Sequence, residues 1–384
     1  MTALSRPATL FALLWYLIAT ATPAAAQRLR IVAANTSSGN GQDYDPGHGI
    51  RIFKGVLADV ILIQEFNYQN NTSADIREFV DETFGQGFSY FRESNTGGIP
   101  NGVISRYPIL ESGQWVSTVA ERDYAWARID LPGNRELLAV SVHLPTASAS
   151  VRNGEAQDLV GYVNTYYAAD GGSRATDYLV IGGDFNTGNR SESCLGTLGQ
   201  VVTIGTAHPA DRNGNVNTNA SRAKPYDAVY AGKGLHALQT TTVIGRSIFP
   251  NGLVADTQVY SPISEIAPAL TTDSAAPNMQ HMAVVKDFYL PPPPDPPLLE
   301  ILSSHIKTSS PRLVQITFRS TTGATYEVQA SPSTDPAAWN NLGSFTADGT
   351  SSTIAVVTTA PGAGQVADPL LDSATRRFYR VIRR

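Results

Sequence analysis

One cysteine, Cys194, stands in a chain of 384 residues. An internal disulfide is therefore excluded, and stability must come from an apolar core or a bound metal. Basic residues are also scarce. Between residues 27 and 290, 19 Lys+Arg face 26 Asp+Glu, a difference of −7, within a chain of net charge −5. Such a body lacks the broad basic surface that tight non-specific binding to nucleic acid needs, although a local cleft can be basic or metal-neutralised. Long apolar runs are missing beyond the N-terminus, where nothing approaches about 18 uninterrupted apolar residues, so no membrane span is expected in the mature chain. The N-terminus itself reads differently. Arg6, the apolar stretch Leu10 to Thr20 and Ala24-Ala25-Ala26 before Gln27 have the layout of a cleaved signal peptide over residues 1–26, which predicts a secreted or periplasmic protein.

What is present is an ordinary globular share of hydrophobic residues, 42%, in a length that allows two or three domains. Strand-like apolar runs occur at Leu29–Asn35, Asp59–Gln64, Gly102–Arg106, Gly113–Val119, Ala125–Leu131, Leu137–Leu144, Tyr178–Gly182, Ala228–Tyr230, His236–Thr242 and Ala283–Phe288. Helical spacing appears at Ile50–Leu57, at Ser73–Phe84 and over roughly Val151–Ala169. Strands outnumber helices, and the helices interrupt them irregularly. That pattern predicts two sheets packed face to face with helices outside, an α/β sandwich spanning residues 27–290. A stiff spacer follows at 291–298, from Pro291-Pro292-Pro293-Pro294-Asp295-Pro296-Pro297. Beyond it, over residues 299–384, Val314, Ile316 and Phe318 alternate with polar residues, as do Tyr326 and Val328, and Tyr379 and Val381. This predicts a small all-β sandwich without a His/Asp/Glu cluster, a binding or spacer module.

Polar residues of catalytic type gather at the ends of the apolar runs. Val180 to Thr187 reads Val-Ile-Gly-Gly-Asp-Phe-Asn-Thr, and strand periodicity would aim Asp184 and Asn186 to one side. Glu65 ends Ile61-Leu62-Ile63-Gln64-Glu65, a position suited to a hard divalent cation. Asn35 closes the first run, His143 closes Val140-Ser141-Val142-His143, Asp227 opens a strand after Lys224-Pro225-Tyr226, and His281 precedes Met282-Ala283-Val284-Val285. Each alone fits a solvated strand end or a satisfied structural group. The seven together at strand junctions point to phosphoester chemistry, in which a cation and an imidazolium neutralise charge on phosphoryl oxygens.

The ordered set resembles the endonuclease/exonuclease/phosphatase superfamily, deoxyribonuclease I-like and of the secreted bacterial kind. Gln64-Glu65, Ser141-Val142-His143-Leu144 and Gly183-Asp184-Phe185-Asn186 carry the resemblance, with support from Ser105-Arg106-Tyr107-Pro108. It implies a four-layer α/β sandwich and a hydrolase dependent on Mg²⁺ or Mn²⁺. Glu65 and Asn35 would hold the metal. Asp227 would orient His281, His143 would contact phosphate and protonate the leaving group, and Asp184 with Asn186 would orient nucleophile and phosphate. Glu93 falls where relatives place the partner of the first histidine, and Arg122 near a phosphate-contacting arginine. One departure stands out: the family usually has Asp immediately before its last histidine, and here that residue is Gln280, whose amide would hydrogen-bond the phosphate or coordinate through its oxygen.

The expectation is a monomeric, exported phosphodiesterase, a nuclease acting by in-line attack of activated water. A sphingomyelin-type or phosphorylated-polyol phosphoesterase is the alternative, and would call for an apolar hairpin such as Ser247-Ile248-Phe249-Pro250. A degenerate catalytic domain carrying a surface-binding tail is the third.

Overall fold

The computed structural model describes residues 27–383 apart from 95–97, 119–121, 133–134, 170–171, 173, 175–176, 292–300, 308–310, 334–337, 359–360, 363 and 373–376. The expected signal peptide and most of the proline spacer lie outside the described residues. Two compact units are present, one within residues 24–293 and one within residues 294–384.

In the first unit the elements follow in the order β1 (Gln27–Asn35), α1 (His48–Val56), β2 (Val60–Gln64), α2 (Ser73–Thr83), β3 (Ser89–Arg92), β4 (Gly102–Ser105), β5 (Ile109–Trp115), β6 (Tyr124–Asp130) and β7 (Glu136–His143). Then come α3 (Ala149–Ala168), β8 (Tyr178–Asp184), α4 (Ser193–Leu198), β9 (Asp227–Ala231), α5 (Lys233–His236), β10 (Gln239–Thr240), β11 (Thr242–Ile244), β12 (Ser247–Phe249), β13 (Leu253–Val254) and β14 (Val284–Leu290). One sheet has the order β10-β14-β1-β2-β4-β3, with β13 also on β14; the other is β5-β6-β7-β8-β9. Each sheet holds one parallel pair, β1 with β2 and β7 with β8, flanked by antiparallel neighbours.

Three apolar clusters make four layers. Leu29, Ile31, Leu62, Val103, Leu137, Val180 and Phe288 fill the space between the sheets. Phe53, Val56, Ile76, Phe79 and Val80 cover one outer face with α1 and α2, and Leu159, Val163, Leu195 and Leu198 cover the other with α3 and α4. Each such fully buried side chain contributes about 1.5–3 kcal/mol relative to an exposed one. Helix α2 begins where Thr72 accepts from the Asp75 amide and the Asp75 carboxylate accepts from the Thr72 amide, a reciprocal cap. Among the described residues, no helix is long and apolar enough to cross a membrane.

Polar contacts also tie the sheets together. The Gln64 amide donates to Ser141 Oγ at 2.8 Å, and Ser141 Oγ donates to the Ile63 carbonyl at 2.8 Å. This contact forms because Gly182 and Gly183 carry no side chain. A Cβ on Gly183, whose φ is +147°, would sit 2.0 Å from the Val142 carbonyl and 2.8 Å from Gln64 Nε2. Within the β1 sheet, Arg30 is fully buried and pairs doubly with Asp287 at 2.7 Å, while donating to the Val56 and Val243 carbonyls.

Two sequence expectations shift. The strand expected at Gly113–Val119 lies earlier, as β5, because Ile109 to Trp115 pair with β6. The run His236–Thr242 is no single strand: His236 closes α5, and Gln239 and Thr242 begin two separate short strands.

The second unit contains β15 (Ile301–Lys307), β16 (Leu313–Arg319), β17 (Thr325–Ser331), β18 (Asn340–Thr346), β19 (Ser351–Val357), β20 (Gln365–Ala367) and β21 (Phe378–Arg383). They form sheets β15-β16-β19-β20 and β18-β17-β21 around Val314, Ile316, Phe318, Tyr326, Val328 and Ile354. Tyr326 is buried core, and its hydroxyl accepts from the Thr321 amide.

Gly183→Ala should lower stability by about 3 kcal/mol or more, because no neighbouring backbone can give way. Gly161→Ala, exposed on α3 with nothing near its absent Cβ, should instead stabilise by roughly 0.5–1 kcal/mol. Urea unfolding of the two variants checks both signs.

Candidate active site

The topology concentrates polar side chains at one end of the sandwich. Asn35 and Gln64 are register partners at the C-terminal ends of β1 and β2, and Glu65 follows Gln64. His143 and Asp184 are partners at the ends of β7 and β8, and Asp184 also pairs with Asp227 at the start of β9. His281 enters just before β14, bridged to Asn219. The interior apolar positions fix the register of each strand, so the first residues beyond them are held rigidly.

Asp184 Oδ2 is the meeting point. Asn35 Nδ2 lies 3.1 Å from it, Asn186 Nδ2 3.2 Å, His143 Nε2 3.2 Å and His281 Nε2 3.6 Å. The same Asn35 nitrogen lies 3.1 Å from Glu65 Oε1, so oxygens of two carboxylates converge on one position. His281 Nδ1 faces Asp227 Oδ2 at 3.0 Å. Ligand atoms of Asp184, Asp227 and His281 all fall within 4.8 Å of one another.

Burial alone would raise the Asp184 pKa, but His281 and His143 outweigh it and hold the carboxyl at about 2. Burial likewise opposes charge on His281. Asp227 and Asp184, then Glu65, overcome that and lift the imidazole to about 9. At neutral pH the site therefore holds an Asp184 carboxylate beside a His281 imidazolium.

Expected and observed placements differ in instructive ways. Asp184 and Asn186 do meet, but not through strand periodicity. The strand ends at Asp184 and Asn186 is left-handed at φ 50°, so a tight turn brings them together, with the Asn186 amide donating to Asp184 Oδ1 at 2.9 Å. Arg122 reaches the site, its Nη1 lying 2.6 Å from His143 Nε2. Glu93 does not meet His143. It is buried at 1% exposure, and its carboxylate accepts from the Asn101 backbone and side-chain amides at 2.8 and 3.2 Å. His143 Nδ1 is buried without a hydrogen-bond partner among the described residues. Gln280 is exposed and anchored through its backbone, its amide donating to Ser37 Oγ at 2.9 Å.

A model of the Endonuclease/Exonuclease/phosphatase family matches residues 24–245, more than half of the sequence. This chain belongs to the endonuclease/exonuclease/phosphatase family. Its members are in general hydrolytic phosphoesterases that depend on divalent metal. Among solved structures, the chain is similar to an endonuclease/exonuclease/phosphatase from Beutenbergia cavernae, at 13% identity and TM-score 0.46, covering 93% of this chain and 100% of that one. An endonuclease/exonuclease/phosphatase from Bacteroides vulgatus gives 14% identity and TM-score 0.47, covering 69% and 99%. A mannosyl-6-phosphatase from Bacteroides thetaiotaomicron gives 12% identity and TM-score 0.42, covering 67% and 98%. No curated protein matches the chain.

For a family of this kind, the donor set fits a hard divalent cation. Glu65 and Asp184 offer carboxylate oxygens at one point, where the Asn35 amide nitrogen donates to both. Other residues that shape the site were not singled out from the sequence. Gly39 donates its amide to Glu65 Oε2, Ser37 donates to Asn35 Oδ1, and Thr36 Oγ1 holds the carbonyl of Glu65, which is itself left-handed at φ 55°. Thr218 Oγ1 accepts from the Asp227 amide at 2.7 Å. The segment after β1, rich in Gly, Ser and Asn, wraps the glutamate.

Burial drives the Glu93 carboxyl up to about 8, against the Asn101 hydrogen bonds. Between its ordinary 4.5 and about 8 the unfolded chain releases this proton while the folded chain keeps it, so stability falls as pH rises through that window. Glu93→Gln cannot ionise and should remove that part of the fall. Denaturation midpoints at the two ends of the window, compared with wild type, measure it.

Proposed function

We propose that the chain is an exported, divalent-metal-dependent phosphodiesterase, acting on nucleic acid as a nuclease. The observation that carries the reading is the convergence of His143, His281, Asn35 and Asn186 on the single oxygen Asp184 Oδ2. Donors held around one point in a buried site can stabilise an equatorially charged phosphoryl group without reorganising. Arg122 and His143 support the phosphate reading. Arginine only donates, so its contact needs His143 Nε2 to accept, whereas the Asp184 contact needs that nitrogen to donate. A phosphate oxygen accepting from both Arg122 and His143 would relieve the conflict.

Each residue then has a task. Asp227 fixes the orientation of His281, whose imidazolium neutralises charge on the phosphoryl oxygens and is too basic to act as the base. Asp184, ionised and braced by Asn186, accepts from and orients the attacking water. His143, beside Arg122, binds phosphate and protonates the leaving oxygen. Glu65 and Asn35 would hold Mg²⁺ or Mn²⁺, which supplies Lewis-acid neutralisation of a phosphate oxygen when bound. Export rests on the leader-like Arg6, Leu10–Thr20 and Ala24–Ala26 pattern. N-terminal sequencing of the exported protein should begin at Gln27, and a retained N-terminus would refute that part.

A phospholipid-headgroup substrate is the second reading, because Val243 and Ile248 oppose each other on the β11–β12 hairpin with 44% and 62% exposure. Phe249 beside them is buried. Plasmid DNA, sphingomyelin vesicles and a bis-aryl phosphodiester, each assayed with Mg²⁺ and with chelator, separate the readings. The expected result is plasmid cleavage lost in EDTA. Asp184→Asn and His281→Gln should each reduce turnover by about 10²-fold or more, while Gln280→Ala leaves it within a few-fold. Wild-type turnover in either of the first two would overturn the tasks assigned to Asp184 and His281.

A further inference from the structure

A cavity of ≈ 250 Å³ lies in the first unit, between β9 of one sheet and β13–β14 of the other, and is walled by the segment around His208. Its lining has an unusual charge balance. Lys286 enters from β14, Arg190 from the turn after β8, and His208 and His236 from two further segments. Lys286 is 8% exposed, and among the described residues its ammonium has only a long contact of 3.4 Å to Gln239 Oε1. Arg190 donates one Nη to the Val216 carbonyl at 2.6 Å, but its Nε is buried without a hydrogen-bond partner.

Among the described residues, no carboxylate pairs with either cation. Asp227 is the one acid on the wall; its Oδ2 faces His281, and its Oδ1 is buried without a hydrogen-bond partner among the described residues. Burial, then Arg190, depress the Lys286 ammonium to about 8, and burial with Arg190 and Lys286 depresses His208 to about 4. The two imidazoles are accordingly neutral at neutral pH, each offering one donor, while arginine and lysine contribute a double positive charge. A buried like-charged pair is costly unless a counter-charge accompanies it. A monoanionic carboxylate would leave one charge uncompensated. A dianion with several acceptor oxygens balances both and suits a planar guanidinium next to a point-like ammonium.

We propose that this cavity is a second anion site, adjoining the catalytic cluster at Asp227, which takes a phosphoryl oxyanion on Lys286 and Arg190 with His208 and His236 as further partners. The oxyanion is inorganic phosphate or the phosphate of a phosphomonoester. Its binding stabilises the fold, since the folded chain alone presents the cavity.

The test is thermal unfolding of the full chain in EDTA, titrated with potassium phosphate against potassium chloride at matched ionic strength. The wild type and a His281→Ala variant should both rise in midpoint with phosphate. Lys286→Met should lose the rise, with affinity weaker by about tenfold or more, and should unfold no lower than wild type without phosphate, because it sheds an unpaired buried charge. Lys286→Arg keeps the charge and should keep the response, which guards against a misfolded methionine variant. Glycerol phosphate, titrated separately, distinguishes the sources: a response to inorganic phosphate alone assigns free phosphate, and a response to both assigns a phosphomonoester. A phosphate response retained in Lys286→Met and in Arg190→Gln but lost in His281→Ala would place the anion in the catalytic cluster and overturn the proposal. So would the absence of any response in the wild type. Loss of hydrolysis in other variants bears on the catalytic reading only.

Discussion

Three carboxylates, Glu65, Asp184 and Asp227, are buried near one another at one end of the sandwich, and the site depends on how their charge is tolerated. Burial raises the carboxyl pKa of Asp184 and of Asp227, and the cations and donors that face them oppose the rise. His281 serves two of them at once, with Nδ1 toward Asp227 and Nε2 toward Asp184. It becomes an imidazolium because both acids are there, and Asp184 stays ionised because both imidazoles are. The arrangement is mutual, so neither Asp184 nor His281 keeps its charge without the other.

The backbone makes that mutual arrangement possible. Parallel strands deliver their C-terminal ends to the same edge, and each sheet has one such pair at its centre. Packing the pairs face to face places Asn35 and Glu65 from one sheet opposite His143 and Asp184 from the other. The glycines before Asp184 let the sheets approach closely enough for Gln64 to bond to Ser141 across the interface. Apolar interdigitation lower down provides stability, whereas this polar link sets the spacing where the chemistry lies.

Much of this was readable in the sequence because it is written locally. Apolar runs ending in Asn, Glu, His or Asp mark strand ends, and strand ends were where the structure put those residues. Glu93 shows the limit: its neighbourhood suggested a partner for His143, but a carboxylate's partner is set by which strands adjoin, and β4 brings Asn101 instead. Asn186 was placed on the right side for the wrong reason, since a left-handed turn and not strand alternation carries it there. Arg190 and Lys286 gave no signal at all. They are nearly a hundred positions apart in the chain, and only the opposition of the two sheets puts them into one cavity.

Glu65 carries a tension of its own. Its backbone occupies a region that costs an ordinary L-residue about 1–2 kcal/mol and that glycine or asparagine would enter more freely. Drift toward either would relax the chain and erase a negative charge from the centre of the cleft. Mutational change at this position is thus pulled one way by folding and the other way by chemistry. A descendant released from the need to react should lose this glutamate early, leaving a sturdier but silent scaffold.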